Sequence, residues 1–283
     1  KRIITCCLIL QLCLLNLEAQ NATSFDVRVT GAGPDLLLIP GAACSGEVWK
    51  ETVSSLKADF TCHVVTLAGY AGVAPLQDPP YLDTYLTDLS KYIKQLNGKP
   101  IVMGHSIGGW LALKLGMTPD LLEKVIVIDA LPFLPAANDS TMTEEKVRAF
   151  SVEPMVAQYE QMSDSLFRSM QLLTIKSMVG DSTKHNEVLN WSMKSDRKTM
   201  AYTVNEMMRE DLRGDLKQIN VPVLVLGAWD SDYPQTRQIQ KSIYTEQFQN
   251  AANLQLIMAH QAKHFIMIDD LDWMIEEVRK FLK

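Results

Sequence analysis

The run Gly104-His105-Ser106-Ile107-Gly108 places a hydroxyl between two glycines where an apolar stretch, Ile101-Val102-Met103, gives way to a helix-forming one from Trp110 to Leu115. A strand running straight into a helix leaves no relaxed loop, so Ser106 must occupy a tight turn. A Cβ at position 104 or 108 would strike the neighbouring backbone. Such a turn lifts the serine oxygen above the sheet edge, at a helix N-terminus whose free N–H groups favour developing negative charge. That is the chemistry of a nucleophile for acyl transfer. A serine that only caps its helix gives the same pentapeptide, so the rest of the chain must supply a base and a group that orients it.

In an open parallel sheet, groups that converge on one site come from loops at the carboxyl ends of strands. Apolar or alternating runs at 25–30, 36–39, 63–67, 101–103, 125–129, 221–226 and 253–258 read as strands, the first of them an edge strand. Helical patterns at 48–56, 83–96, 110–117, 234–248 and 269–282 fall between or after them. Strands alternating with helices of this length predict a mostly parallel, doubly wound α/β sheet with right-handed crossovers.

The rhythm stops at Pro132 and resumes at Val221, which leaves a helical insertion over residues 132–220. Thr141-x-x-Glu144 reads as a capping box ahead of a helix at 147–159, with further helices at 164–179 and 196–211. Nine of the 14 methionines lie in this insertion. Methionines on helices are most often ordinary packing, and a Met-rich cap over a serine would also make an adaptable apolar wall.

Ser106, Asp230 and His264 each follow a strand and occur in the chain order Ser, Asp, His. Asp129 also ends a strand and is the rival acid. At this point the chain resembles the α/β-hydrolase superfamily, in the branch with a helical cap, over about residues 24–283. Gly104-His-Ser-Ile-Gly-Gly109 is similar to the family's nucleophile motif. The run from Val221 to Gly227, with Asp230 and Pro234, is similar to its acid-bearing strand and loop, and His264-Phe265 to its histidine segment. The resemblance implies Ser106 as nucleophile, His264 as base, Asp230 as the orienting acid, and the Ala42 and Ile107 N–H groups as the oxyanion hole. Two positions depart from the pattern: Pro40-Gly41 stands where His-Gly is common, and Lys263 where a glycine usually precedes the histidine. His105 reads as a packed neighbour of the turn. His260 and His264 are four apart, but no Glu follows His260, so neither a metal nor a cofactor is implied. Trp49, Trp110 and Trp229 are candidates for the pocket wall or for packing.

The implied activity is a serine hydrolase, a carboxylesterase acting on small to medium apolar esters. Lactonase, thioesterase, amidase or carbon–carbon hydrolase chemistry with the same three residues stays open, as does a ligand-binding protein of this fold with little turnover. Epoxide and dehalogenase chemistry in this superfamily needs an Asp where Ser106 stands. A net charge of −6 with no basic run argues against nucleic acid and for a small-molecule substrate. Lys1-Arg2, an interrupted apolar run and Leu17-Glu18-Ala19 read as a signal peptide over residues 1–19, too short for a comfortable membrane span. The expected organisation is therefore a leader at 1–19, a core at 20–131 and 221–283, and a cap at 132–220, in a secreted or periplasmic protein. Cys44 and Cys62 are expected at opposite sheet edges, too far apart to bridge.

Overall fold

The computed structural model describes residues 24–283; the signal peptide expected at 1–19 lies outside the described residues. Seven strands form one sheet in the order β1-β3-β2-β4-β5-β6-β7. They are β1 (Phe25–Gly31), β2 (Asp35–Ile39), β3 (Thr61–Leu67), β4 (Ile101–His105), β5 (Lys124–Ile128), β6 (Val223–Gly227) and β7 (Leu254–Met258). Only β1 runs antiparallel, on the edge beside β3; every other neighbouring pair is parallel.

The helices are α1 (Lys50–Leu56), α2 (Tyr81–Ile93), α3 (Ile107–Gly116), α4 (Glu144–Arg148), α5 (Glu153–Gln161), α6 (Asp164–Met178), α7 (His185–Met193), α8 (Arg197–Met208), α9 (Arg237–Gln247), α10 (Ile266–Asp269) and α11 (Leu271–Leu282). Alternation along the inner strands divides the core. Leu37, Ile39, Val125, Val127, Val223 and Val225 face α2, α3 and α9. Leu36, Leu38, Ile126, Ile128, Leu224 and Leu226 face α1 and α11. Each fully buried aliphatic side chain contributes about 1.5–3 kcal/mol relative to exposure, so a one-residue slip of any central strand would exchange its two faces and is strongly disfavoured.

Between β5 and β6 the chain is helical, as expected, with two differences. The helix expected at 147–159 is two helices, α4 and α5, because Pro154, in the first turn of α5, has no N–H to give the Phe150 carbonyl and its ring crowds that carbonyl, so one continuous helix is disfavoured. The cap of α4 is Thr143, which accepts from the Lys146 N–H, while Thr141 bonds to Asp139 in a local turn. The second difference is α7, which buries Val188, Leu189 and Trp191 without a clear sequence period to announce it. Several hydrogen bonds tie this helical layer to the rest of the fold, those of Glu206 and Asp196 among them. Glu206 of α8 accepts both the Tyr81 and Leu82 N–H groups at the start of α2. Asp196, the α8 cap, donates its own N–H to Gly69. Among the described residues no helix is long and apolar enough to cross a membrane.

Candidate active site

Ser106 sits between β4 and α3 with φ 54° and ψ −122°. The left-handed region costs a residue with a Cβ about 1–2 kcal/mol, and the flanking backbone enforces it. The Ser106 N–H donates to the Ile128 carbonyl at 3.0 Å, and its carbonyl accepts from Trp110 N–H at 3.0 Å. A Cβ at Gly104 would come 2.0 Å from the Gly108 carbonyl oxygen, and one at Gly108 would come 2.3 Å from that of Ile39. Both glycines are steric requirements of the turn. Gly41, in the loop after β2, is equally close: a Cβ there would lie 3.1 Å from the Ser106 Cβ. The next residue is Ala42, so this loop reaches Ser106. Neither the Ala42 nor the Ile107 backbone N–H has a hydrogen-bond partner among the described residues.

The acid facing His264 is Asp129, and the expectation of Asp230 is corrected. His264 Nδ1 lies 2.6 Å from Asp129 Oδ2. Asp129 is the first residue after β5 and, like Ser106, has positive φ, 47°. Its other carboxylate oxygen accepts from Ala228 N–H at 2.6 Å and from the Tyr244 hydroxyl at 2.5 Å. Asp230 is buried, but its carboxylate accepts from Asp232 N–H at 2.8 Å and from Gln261 Nε2 at 2.7 Å. After β6 the chain pairs Trp229 with Ala262 in an isolated antiparallel bridge, and Asp230, the next residue, closes its own turn. Asp129, on the neighbouring strand, stays at the edge where His264 arrives.

His264 is held by its backbone. Its carbonyl accepts from His105 Nε2 at 3.0 Å, and the Tyr233 hydroxyl lies against its main chain. One residue earlier, Lys263 N–H donates to Asp269 at 2.9 Å, and Asp269 also accepts from Gly180 and Asp181. Lys263 itself pairs with Asp232. His105 is fully buried with Nδ1 unpartnered, and its ring lies 4.5 Å from that of His264. Burial, and secondarily the neighbouring His264, holds its pKa well below the ordinary histidine value. His105 is therefore neutral, with its proton on Nε2. Burial, and then the Asp129 carboxylate, pushes the Tyr244 hydroxyl well up, so it stays a donor to Asp129.

Ser106, Asp129 and His264 line one cavity of about 330 Å³, together with Leu131, Leu134, Met207 and Ile243. Trp49 and Trp110 are packed in the core, and Trp229 donates its indole N–H to the Gln235 carbonyl; none of the three lines this cavity. Among the described residues no group of three or more His, Cys, Asp or Glu side chains is arranged to hold a metal ion. Cys44 and Cys62 are buried free thiols, and burial pushes Cys44 up to about 12, so it is no rival nucleophile. Sequence reasoning missed Tyr244 and Tyr233. Each lies far along the chain from the group it serves, in no motif, and only the register of β5 with β6 and the placement of α9 bring them in.

The model of the alpha/beta hydrolase family matches residues 36–277. A pimeloyl-acyl-carrier-protein methyl ester esterase of Vibrio atlanticus is 27% identical over 207 residues, 70% of this chain and 77% of that protein. Among solved structures, a hydrolase from Pseudomonas aeruginosa superposes with a TM-score of 0.74 at 16% identity, covering 91% of this chain and 94% of that one. An enol-lactonase from Burkholderia xenovorans gives 0.73 at 17% identity, covering 93% and 97%.

Proposed function

We propose, from the premise that this chain belongs to the alpha/beta hydrolase family, that it is a serine hydrolase cleaving carboxylic esters through Ser106, His264 and Asp129. The observation that carries the reading is the 2.6 Å contact between His264 Nδ1 and Asp129, made in the same cavity as Ser106. With Nδ1 engaged, Nε2 is the ring nitrogen left for proton transfer. Ser106 Oγ attacks the ester carbonyl while its proton passes to His264 Nε2, and the Asp129 carboxylate stabilises the imidazolium that forms. The carbonyl electrons move onto oxygen, where the unpaired N–H groups of Ala42 and Ile107 receive them. Collapse expels the alcohol, which takes the proton from His264. Water, activated by the same imidazole, then releases the acid and restores Ser106.

Esters fit because the relatives named above act on a methyl ester and an enol lactone by their names, and because the cavity wall is largely apolar. Residues 132–220 serve as the cap under this reading, since Leu134 and Met207 come from them. A signal peptide at 1–19 would place the activity outside the cytoplasm, which fractionation of expressing cells tests directly. The central test is hydrolysis of p-nitrophenyl butyrate with parallel fluorophosphonate labelling. Turnover that survives Ser106→Ala, or a probe adduct on another residue, sinks the assignment.

A further inference from the structure

Apart from Asp129 and His264, no charged side chain lines the cavity. Three carboxamides do: Asn138, Gln235 and Gln240. None of their side-chain amides has a hydrogen-bond partner among the described residues. Gln240 stands one helical turn before Tyr244 on α9, with Ile243 on the same face, so this face presents an amide and an alkyl group beside the phenol that meets Asp129. Gln235 is fixed through its carbonyl, which accepts from Trp229 Nε1.

The cations nearby are already engaged. Arg213 occupies an adjoining hollow that shares Ala137, Asn138 and Ile243 with the cavity. Its guanidinium forms a two-pronged pair with Asp211 and stacks on Phe133. Lys263 pairs with Asp232, and Arg237 donates to the carbonyls of Met258 and Ala259. An anionic tail entering the cavity would lose its water and find no cation, with the Asp129 carboxylate repelling it. An uncharged donor–acceptor group would find three free amides, each able to give and take hydrogen bonds.

Building on the serine-hydrolase reading, we propose that this site selects uncharged esters whose acyl chain carries a hydrogen-bonding group such as a carboxamide, and discriminates against acyl chains ending in a carboxylate. Sites that hydrogen-bond a substrate group discriminate far more strongly than apolar pockets do.

The test compares p-nitrophenyl esters with acyl chains of equal length ending in a methyl, a carboxamide or a carboxylate. The expected order of kcat/KM is carboxamide, then methyl, then carboxylate, with the last at least ~100-fold below the first. Gln240→Lys should raise the carboxylate ester at least ~10-fold relative to the methyl ester. Asn138→Lys, at an exposed position, gives the same readout without altering α9. A carboxylate ester within about 3-fold of the carboxamide, or equal rates for carboxamide and methyl, overturns this inference alone. Hydrolysis of none of the three, with Ser106 refractory to fluorophosphonate, takes down the serine-hydrolase reading and this inference with it.

Discussion

Asp129 and His264 meet at 2.6 Å although 135 residues separate them, while the buried Asp230, only 34 residues from His264, bonds to Gln261 and its own turn. The two carboxylates therefore have separable roles. Asp129→Asn should lower kcat by about 10⁴, the loss seen when an orienting acid becomes an amide and the imidazole takes the wrong tautomer. Asp230→Asn should leave kcat within about 10-fold, and its effect should fall on thermal stability through the 229–233 turn. Side-by-side kinetics on one p-nitrophenyl ester decide it. If Asp230→Asn is the deeper loss, the acid assignment is reversed.

Tyr244 donates to the Asp129 oxygen that His264 does not use. With the hydroxyl gone, one of the two bonds that fix this oxygen is lost and the carboxylate is freer to turn from His264. Tyr244→Phe should therefore lower kcat roughly 10-fold on a p-nitrophenyl ester while KM stays within about 3-fold. A packing role alone would lower the Tm and leave kcat in place.

His105 ties pH to stability. Its folded pKa lies well below the ordinary value because burial disfavours the charged ring. The unfolded chain therefore binds a proton that the folded chain refuses once the pH falls below about 6.5. Stability is at its full value above that pH and declines as pH drops toward the folded pKa, at up to about 1.4 kcal/mol per pH unit from this one group. His105→Gln keeps a donor for the His264 carbonyl and removes the titration. Urea unfolding at pH 7 and pH 5 should show a smaller acid-side loss for the variant than for the unaltered protein.

Gly108→Ala should unfold or severely destabilise the protein, by about 3 kcal/mol or more, since its Cβ would meet a carbonyl oxygen at 2.3 Å. Gly214→Ala is the control, because a Cβ there meets nothing within 4 Å. Differential scanning fluorimetry should place the control near the parent Tm and the Gly108 variant far below it.

The sheet was legible in the sequence because its inner strands are short, apolar on both faces and punctuated by glycine and proline, and Ser106 because sterics tie its two glycines to one backbone shape. His264 was legible as the histidine after the last strand. The carboxylate that meets it was not, because Asp129 and Asp230 both follow strands and only the folded chain brings one of them within 2.6 Å of the imidazole. Tyr244 is an ordinary helix residue until the placement of α9 brings its hydroxyl to a carboxylate. The break between α4 and α5 was signalled by Pro154, whose effect a capping pattern at Thr141 obscured.

Under the proposed assignment the acid follows β5, beside the strand that leads into Ser106, and the loop after β6 holds none of the reacting groups. Tyr233, Pro234 and Gln235 in that loop still form part of the cavity wall. Changes there can reshape what the pocket accepts while the two neighbouring strand ends keep the reacting groups in register. For anyone redirecting this protein to a new ester, Pro234 and Gln235 are where substitutions can be made with least hazard to turnover, while Tyr233 stays to hold the His264 main chain.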